Sequence, residues 1–455
     1  MPILLTVDQP EVLAQLKSLE PTKVISDQFY HGLNFTLNLS TNNYNFDIFG
    51  CWNSNCNDVL NYSHLGSHQQ QFFSHVLTSY NEKYPIRNKI RFLIGDNIYY
   101  DKGLKEIKKK FQAELDVATL NDDSKEFDGV KLIKLGKDII DTGFRCFTDV
   151  PSFMALGNHD VEFPFIIQYQ INKCLRDIQI NGNEIRFGNW ILPNAFYSVK
   201  IKMPERPDVL IIIIDTNLLD AGEYINSFDI TKKDEYKHKM HLWFKKTLEE
   251  NQSINTIVMG HIPIFYYSHI KNKEKKEKKE EKKEKEKKEK PPVGSRYTDF
   301  IDFYKLMIQH NVSTYMCADE HNMQVLQDLK HGINHIICGS SPGGGGSDEA
   351  YNLDETNLYF NNKMIIVPEL EENFNKKIII NAPSFTNLIL HESLLQFNIV
   401  SGSNLVNHHK VEYCATRVCT QMNPSAQIYD IITIPKYRDI IGVYNCDEFN
   451  ANFCT

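Results

Sequence analysis

The sequence predicts an α/β protein built in layers, and three observations carry that expectation. Short β-rich runs alternate with helix-like segments over most of the chain, the pattern of strands covered by helices. The run at 209–214, Val-Leu-Ile-Ile-Ile-Ile, is apolar throughout, as a strand buried on both faces must be. After the glycines at 343–346 the pattern changes to alternating segments (KKIIINA, FTNLILHE, LLQFNIV), which predicts a β-meander closing a sheet.

In chain order, the clearest strand-like runs are 45–49, 90–94, 152–156, 209–214, 256–259 and 314–317. Each ends in a polar corner, usually with glycine or histidine. Helix-like segments at 67–80, 166–178, 233–250 and 297–310 lie between them. Residues 271–290 contain 12 Lys and 7 Glu. Their i,i+4 opposite charges favour a helix, but no apolar face exists to dock one. The run is expected to be a solvated, disordered insertion, and Pro291-Pro292 ends it. Residues 1–40 and 411–455 read as N- and C-terminal flanks, leaving 41–410 as the domain.

Composition narrows the function. The chain has 455 residues, 42% of them hydrophobic, which excludes collagen, a disulfide miniprotein and a mostly disordered chain. Its formal charge is −8. Without the Lys/Glu run, 38 basic and 51 acidic residues remain, a net of −13. Such a body does not favour long nucleic acid, and any anionic ligand needs local compensation. The start, MPILLTVDQPEV, lacks a basic leader region. The longest apolar stretch has six residues where a membrane span needs about 20. A soluble, intracellular protein is therefore expected. Ten cysteines fit a reduced compartment, although Cys414, Cys419, Cys446 and Cys454 crowd the last 45 residues without a CxxC pair.

The chemistry lies in four corners: Gly95-Asp96-Asn97-Ile98-Tyr99, Gly157-Asn158-His159-Asp160, Gly260-His261-Ile262-Pro263 and Ala318-Asp319-Glu320-His321-Asn322. Each follows an apolar strand, where an α/β fold collects its site. Each supplies oxygen or imidazole donors, and one carboxylate can bridge two cations while Asn, His and Tyr complete separate shells. Singly, GNHD reads as a polar turn and GH as a hydrogen-bonded histidine. Four in succession, all after strands, point to a metal centre.

This order of motifs resembles the calcineurin-like metallophosphoesterases, and among them the purple acid phosphatases. The resemblance rests on LIGDNIYYDKG, GNHD, GHIP and CADEHNMQVLQ followed by IICGSSPGG, with HLWFKKTLEEN similar to a helix between motifs. It spans about 41–410, with extra insertions near 105–140 and at 271–290. It implies a four-layer α-β-β-α sandwich and one or two metal ions, iron paired with iron, zinc or manganese. By position, Asp96 would bridge the metals, and Tyr99 and His321 would bind the first, ferric, ion. Asn158 and His261 would bind the second, while His159 would stabilise or protonate the leaving oxygen. The implied reaction is hydrolysis of a small phosphomonoester by a metal-activated hydroxide.

Two ligand positions depart from the family pattern. FDIFGCWNSN places Cys51 where Gly-Asp-x-Gly has its aspartate, and Asp319 stands where Gly-His-x-His has its first histidine. Anionic donors rise from three to four if Cys51 is a thiolate, but a thiolate is soft where carboxylate and phenolate suit harder ions. The second site (Asp96, Asn158, His261, Asp319) is expected to hold a divalent ion. The first (Cys51, Asp96, Tyr99, His321) is expected to be weakened or altered in preference. Asp47, the nearest other carboxylate, lies mid-strand and reads as structural. The alternatives are a degenerate phosphatase fold kept for binding or structural work, with a protein partner, and a phosphoesterase acting on nucleotides.

Other signals lack the context they need. His64, His68 and His75 have helical spacing without the HExxH glutamate, and His238 and His241 read likewise. Gly343–Gly346 lacks the GK[ST] of a phosphate loop, and Ser340 and Ser341 lack a G-x-S-x-G setting.

Overall fold

The computed structural model describes residues 3–18, 27–41, 44–52, 77, 88–97, 150–161, 164–205, 207–219, 230–252, 255–269, 297–339, 356–360, 374–380, 384–390, 394–402 and 426–435. The strands of the first half are β1 (Ile3–Val7), β2 (Leu33–Asn38), β3 (Tyr44–Phe49), β4 (Asn88–Ile94), β5 (Ser152–Ala155), β6 (Gln179–Asn181), β7 (Glu184–Phe187), β8 (Trp190–Ile191), β9 (Tyr197–Lys202) and β10 (Val209–Ile213). Those of the second are β11 (Asn255–Met259), β12 (Phe265–His269), β13 (Thr314–Cys317), β14 (Met323–Asp328), β15 (Asn334–Cys338), β16 (Thr356–Phe360), β17 (Phe374–Ile380), β18 (Ser384–Leu390), β19 (Leu394–Gly402) and β20 (Ala426–Pro435). The helices are α1 (Pro10–Ser18), α2 (Pro164–Arg176), α3 (Ile230–Glu250) and α4 (Tyr297–Gln309).

Among the described residues these strands make an eleven-stranded sheet, β17-β14-β15-β13-β11-β10-β9-β2-β1-β7-β6, and a seven-stranded sheet, β20-β19-β18-β3-β4-β5-β8. A separate pair joins β12 to β16. The middle of each large sheet is parallel: β10, β11, β13 and β15 in one, and β3, β4, β5 and β8 in the other. Parallel neighbours end together, so the corners after β3, β4 and β5 fall in one row and those after β11 and β13 in another. Every residue of β10 is buried, in keeping with its unbroken apolar run.

The sheets touch through side chains and loop ends. The Tyr197 hydroxyl donates to the Met154 carbonyl at 2.9 Å, and Cys338 Sγ lies 3.1 Å from Thr386 Oγ1. On α3, Tyr236, Met240, Phe244 and Leu248 recur every four residues and are all buried, as one helical stripe must be. Phe244 stacks on Phe303 of α4 at 5.1 Å, and Lys237 pairs with Asp299 at 2.8 Å across the same two helices. α2 opens on Pro164, whose missing N–H costs nothing in a first turn, and carries Lys173 and Arg176 in its last turn, where cations suit the helix dipole.

Three features differ from the sequence pattern. The alternating runs after residue 346 do not form one meander: β17 pairs with β14 in the larger sheet, whereas β18 and β19 extend the smaller one. β1 and β2, in the segment read as an N-terminal flank, are interior strands of the larger sheet. β20, in the segment read as a C-terminal flank, forms an edge of the smaller sheet. The helix expected at 67–80 and the Lys/Glu run lie outside the described residues, apart from Leu77. No helix among the described residues is long and apolar enough to cross a membrane.

Candidate metal centre

The two rows of strand ends face each other, and backbone hydrogen bonds lock the corners together. After β3, the Gly50 amide donates to the Cys338 carbonyl at 2.9 Å and the Cys51 amide to the Gly95 carbonyl at 3.0 Å. After β13, the Ala318 amide donates to the His261 carbonyl at 2.8 Å. Two glycines make the close approach feasible. A Cβ on Gly95, whose φ is +90°, would lie 2.4 Å from His261 Nδ1, and one on Gly157 would lie 2.1 Å from the Asp96 amide nitrogen.

Cys51, Asp96 and Asp319 have φ of 55°, 52° and 61°. This left-handed conformation is uncommon for residues with a side chain and costs about 1–3 kcal/mol each. Cys51 and Asp319 thus share the backbone state of Asp96.

Cys51 Sγ, an Asp96 carboxylate oxygen and a His261 ring nitrogen all lie within 4.8 Å of one another, and all three residues are buried. Asp96 looks two ways. Its Oδ2 accepts from Cys51 Sγ at 3.7 Å, while its Oδ1 lies 3.2 Å from His261 Nε2 and accepts the His159 amide at 3.2 Å. Around His261 Nε2 stand Asn158 Oδ1 at 3.0 Å, Asp96 Oδ1 at 3.2 Å and Asp319 Oδ1 at 3.6 Å. The opposite ring nitrogen, Nδ1, is 3.0 Å from the Ile94 carbonyl, which can only accept. A neutral ring therefore carries its proton on Nδ1 and points the Nε2 lone pair at three oxygens.

That convergence of acceptors calls for a positive charge. Burial alone would lower the His261 pKa, but the Asp96 and Asp319 carboxylates outweigh it and hold the imidazolium well above its ordinary range. His321, partly buried, is pulled down by burial and further by His159 and His261, with Asp96 and Asp319 opposing. The five side chains thus act in one electrostatic neighbourhood.

A metal ion fits this donor set. A tetrahedral ion with bonds of about 2.0 Å to N or O and 2.3 Å to S holds adjacent donors roughly 3.3–3.5 Å apart. The separations found, 3.0, 3.2 and 3.6 Å at His261 and 3.7 Å between Cys51 and Asp96, bracket that edge. Anchoring the far ring nitrogen on a backbone carbonyl is also how metal-binding histidines are oriented. Of the other positions considered, Tyr99 lies outside the described residues. Asp47 is held by Asn387 Nδ2 at 2.9 Å and pairs with Arg91 at 4.0 Å, within the smaller sheet.

Sequence reasoning missed the supports beneath the donors. Asp160 Oδ2 accepts from the amides of Gly157 and Asn97 and from Asn97 Nδ2, at 2.7, 3.1 and 3.2 Å, and Gln170 Nε2 donates to its other oxygen at 3.0 Å. Burial, helped by the nearby Asp96 charge, pushes the Asp160 pKa up to about 7, against those hydrogen bonds. Thr216 Oγ1 accepts the His261 and Ile262 amides at 3.1 and 3.0 Å. Asp215 next to it, raised to about 6 by burial, accepts from Asn217 N and Nδ2 at 3.1 and 2.8 Å. The signal was available: Asp160 ends GNHD, and Asp215-Thr216 directly follows the apolar run at 209–214.

Comparison with known proteins places this geometry in context. The family model described as calcineurin-like phosphoesterase matches residues 44–323, more than half of the chain. Tartrate-resistant acid phosphatase type 5 from Oryctolagus cuniculus is 22% identical over 203 residues, which is 43% of this chain and 50% of the relative. The Homo sapiens protein of the same name is 22% identical over 200 residues. The chain thus spans about half the length of the curated relatives it matches. Among solved structures, GAP50, described as the anchor in the inner membrane complex of Plasmodium, aligns at 16% identity and a TM-score of 0.46, covering 90% of this chain and 94% of that one. A purple acid phosphatase from yellow lupin (Lupinus luteus) seeds aligns at 13% identity and 0.45, covering 89% and 56%.

Proposed function

This chain belongs to the calcineurin-like phosphoesterase family, and we propose that it hydrolyses small phosphomonoesters in the manner of the purple acid phosphatases. One observation carries the reading: Asp96, Asn158 and Asp319 turn acceptor oxygens toward a histidine nitrogen whose ring is anchored from behind by Ile94. Asp96, Asn158, His261 and Asp319 would hold one divalent ion, and Cys51, Asp96, Tyr99 and His321 a second. When bound, such ions neutralise phosphoryl oxygens and acidify water.

The chain's own groups supply the rest. Asp96 presents one oxygen to each half of the site and is steadied by the His159 amide. His159, beside Asn158, would hold or deliver a proton at the leaving oxygen. The folded body is acidic once the Lys/Glu run is set aside, so cations at the site would have to attract the phosphate. The test is turnover of an aryl phosphate by freshly reduced protein supplied with iron, manganese or zinc. No turnover with any of them overturns the catalytic reading.

Cys51 and Asp319 favour a second reading, a fold that has lost catalysis and serves as a binding or structural module. It expects less than one metal per chain, and expects Cys51→Asp with Asp319→His to create activity the parent lacks. Robust turnover by the unmodified chain eliminates it.

A further inference from the structure

We infer that Cys51 is a direct thiolate ligand and that it turns this centre toward zinc-class cations and away from manganese and magnesium. The inference rests on the proposed metal site and adds its selectivity. Cys51 is completely buried, so its sulfur is withheld from bulk solvent and from general thiol chemistry. Its amide is pinned to the Gly95 carbonyl, and its Sγ reaches Asp96 Oδ2 at 3.7 Å. The same Asp96 carboxylate reaches His261 with its other oxygen at 3.2 Å. Sulfur, carboxylate and imidazole thus occupy one pocket within 4.8 Å of each other.

The Cys51 S–H lies against Asp96 Oδ2. Entry of a divalent cation replaces that proton: the S–H bond breaks, a sulfur–metal bond forms, and the proton leaves to solvent. The sulfur lone pair provides both bonding electrons, so no oxidant or reductant is needed. Thiolates bind zinc and cobalt(II) far more tightly than magnesium or manganese, whereas carboxylates and amide oxygens discriminate much less between them. Without the sulfur, the pocket offers a cation beside Asp96 only oxygen and nitrogen donors. Cys51 changes its character.

Cobalt(II) is the probe, because a cobalt–thiolate bond produces a charge-transfer band in the near ultraviolet that oxygen and nitrogen ligands do not. The full chain, reduced and metal-free, is titrated with cobalt(II), alongside Cys51→Ser and Cys51→Asp. The expected result is a band in the parent that saturates with cobalt bound, and no band in either variant, while Cys51→Asp still binds cobalt. That last variant separates loss of the sulfur from loss of the fold. Cobalt bound by the parent without the band overturns the thiolate and leaves the metal site standing. No cobalt bound at all overturns both. A band that persists in Cys51→Ser assigns the thiolate to another cysteine and overturns the inference.

Selectivity is read by loading with equimolar zinc and manganese and measuring both in the protein. Nitrogen and oxygen sites also favour zinc, so the diagnostic is the change on substitution. Cys51→Asp should shift the zinc-to-manganese ratio toward manganese by roughly 10–100-fold, a scale typical of altered support around a metal. An unchanged ratio overturns the selectivity.

Discussion

The eleven-stranded sheet buries aspartate and histidine at both of its ends, and the two clusters are wired in opposite ways. At the far end of β14 and β15, Asp328 is saturated with donors. Its Oδ1 accepts the Lys330 and His331 amides at 2.9 and 3.0 Å, and its Oδ2 accepts His331 Nδ1 at 2.7 Å and the Tyr304 hydroxyl. At the other end, the oxygens of Asp96, Asn158 and Asp319 converge on one imidazole nitrogen. The first cluster is closed, every carboxylate lone pair answered from within the chain. The second gathers the oxygens of two carboxylates and an amide around one imidazole. Buried Asp and His do not by themselves mark a site; the balance of donors to acceptors does.

Paired substitutions test that contrast. Asp328→Ala strips the partner from Tyr304, His331 and two amides in a buried setting, which should cost roughly 3–5 kcal/mol in chemical denaturation. Its bound metal per folded chain should be unchanged. Asp96→Ala should abolish metal retention, because the carboxylate shared by Cys51 and His261 is gone. If Asp328→Ala also empties the site, or Asp96→Ala leaves it full, the two ends are not separate in function.

Acid should reach the closed cluster first through His335. This ring is fully buried among Phe265, Tyr304, Tyr315 and Phe374, and burial lowers its pKa to about 4. The unfolded chain takes up a proton near 6.5 that the folded chain refuses until about 4. Stability is therefore fully present above 6.5 and falls as the pH drops toward 4, by up to about 3 kcal/mol. Asp328, also lowered, adds a loss in the same direction below its usual carboxylate range. Asp160 and Asp215, raised to about 7 and about 6, gain stability over the same range, so the His335 share is read as the difference in denaturation between the parent and His335→Phe from pH 7 to pH 4. An equal slope in that variant would place the titration elsewhere.

How much of this was legible in the sequence varies with the range of the interaction. Strand ends near 49, 94, 155, 213, 259 and 317 were readable, because apolar runs stop where the chain must turn polar. The corners bearing Asp96, Asn158 and His261 were readable for the same reason. The destination of β17 was not. Its run resembles that of β18, and only long-range pairing, at Val325↔Ile378 against Leu388↔Phe46, separates them. β1 buries Ile3, Leu5 and Val7 on one face, but an alternation of only five residues carried too little pattern to distinguish it from a flank. Cys51 and Asp319 were recognised as unusual donors, but their positive φ was invisible, since glycine is the residue that advertises that conformation. Thr216 escaped notice because it acts on backbone amides, for which no motif exists.

Thr216 also offers the smallest and most selective test of the contrast. Its hydroxyl oxygen collects the amides of His261 and Ile262, and it touches no donor side chain of the centre through that oxygen. Thr216→Val keeps the shape and removes the acceptor, leaving two buried N–H groups to find another. A stability loss of about 1–3 kcal/mol follows from that alone. If His261 owes its position to these bonds, metal affinity should fall as well, by about 10–100-fold. Thr216→Ser restores the oxygen and should recover both quantities. A Val variant that loses stability but binds cobalt or zinc as tightly as the parent would show that Ile94 alone holds the ring. The acceptor-rich end would then be as rigidly built as the closed one.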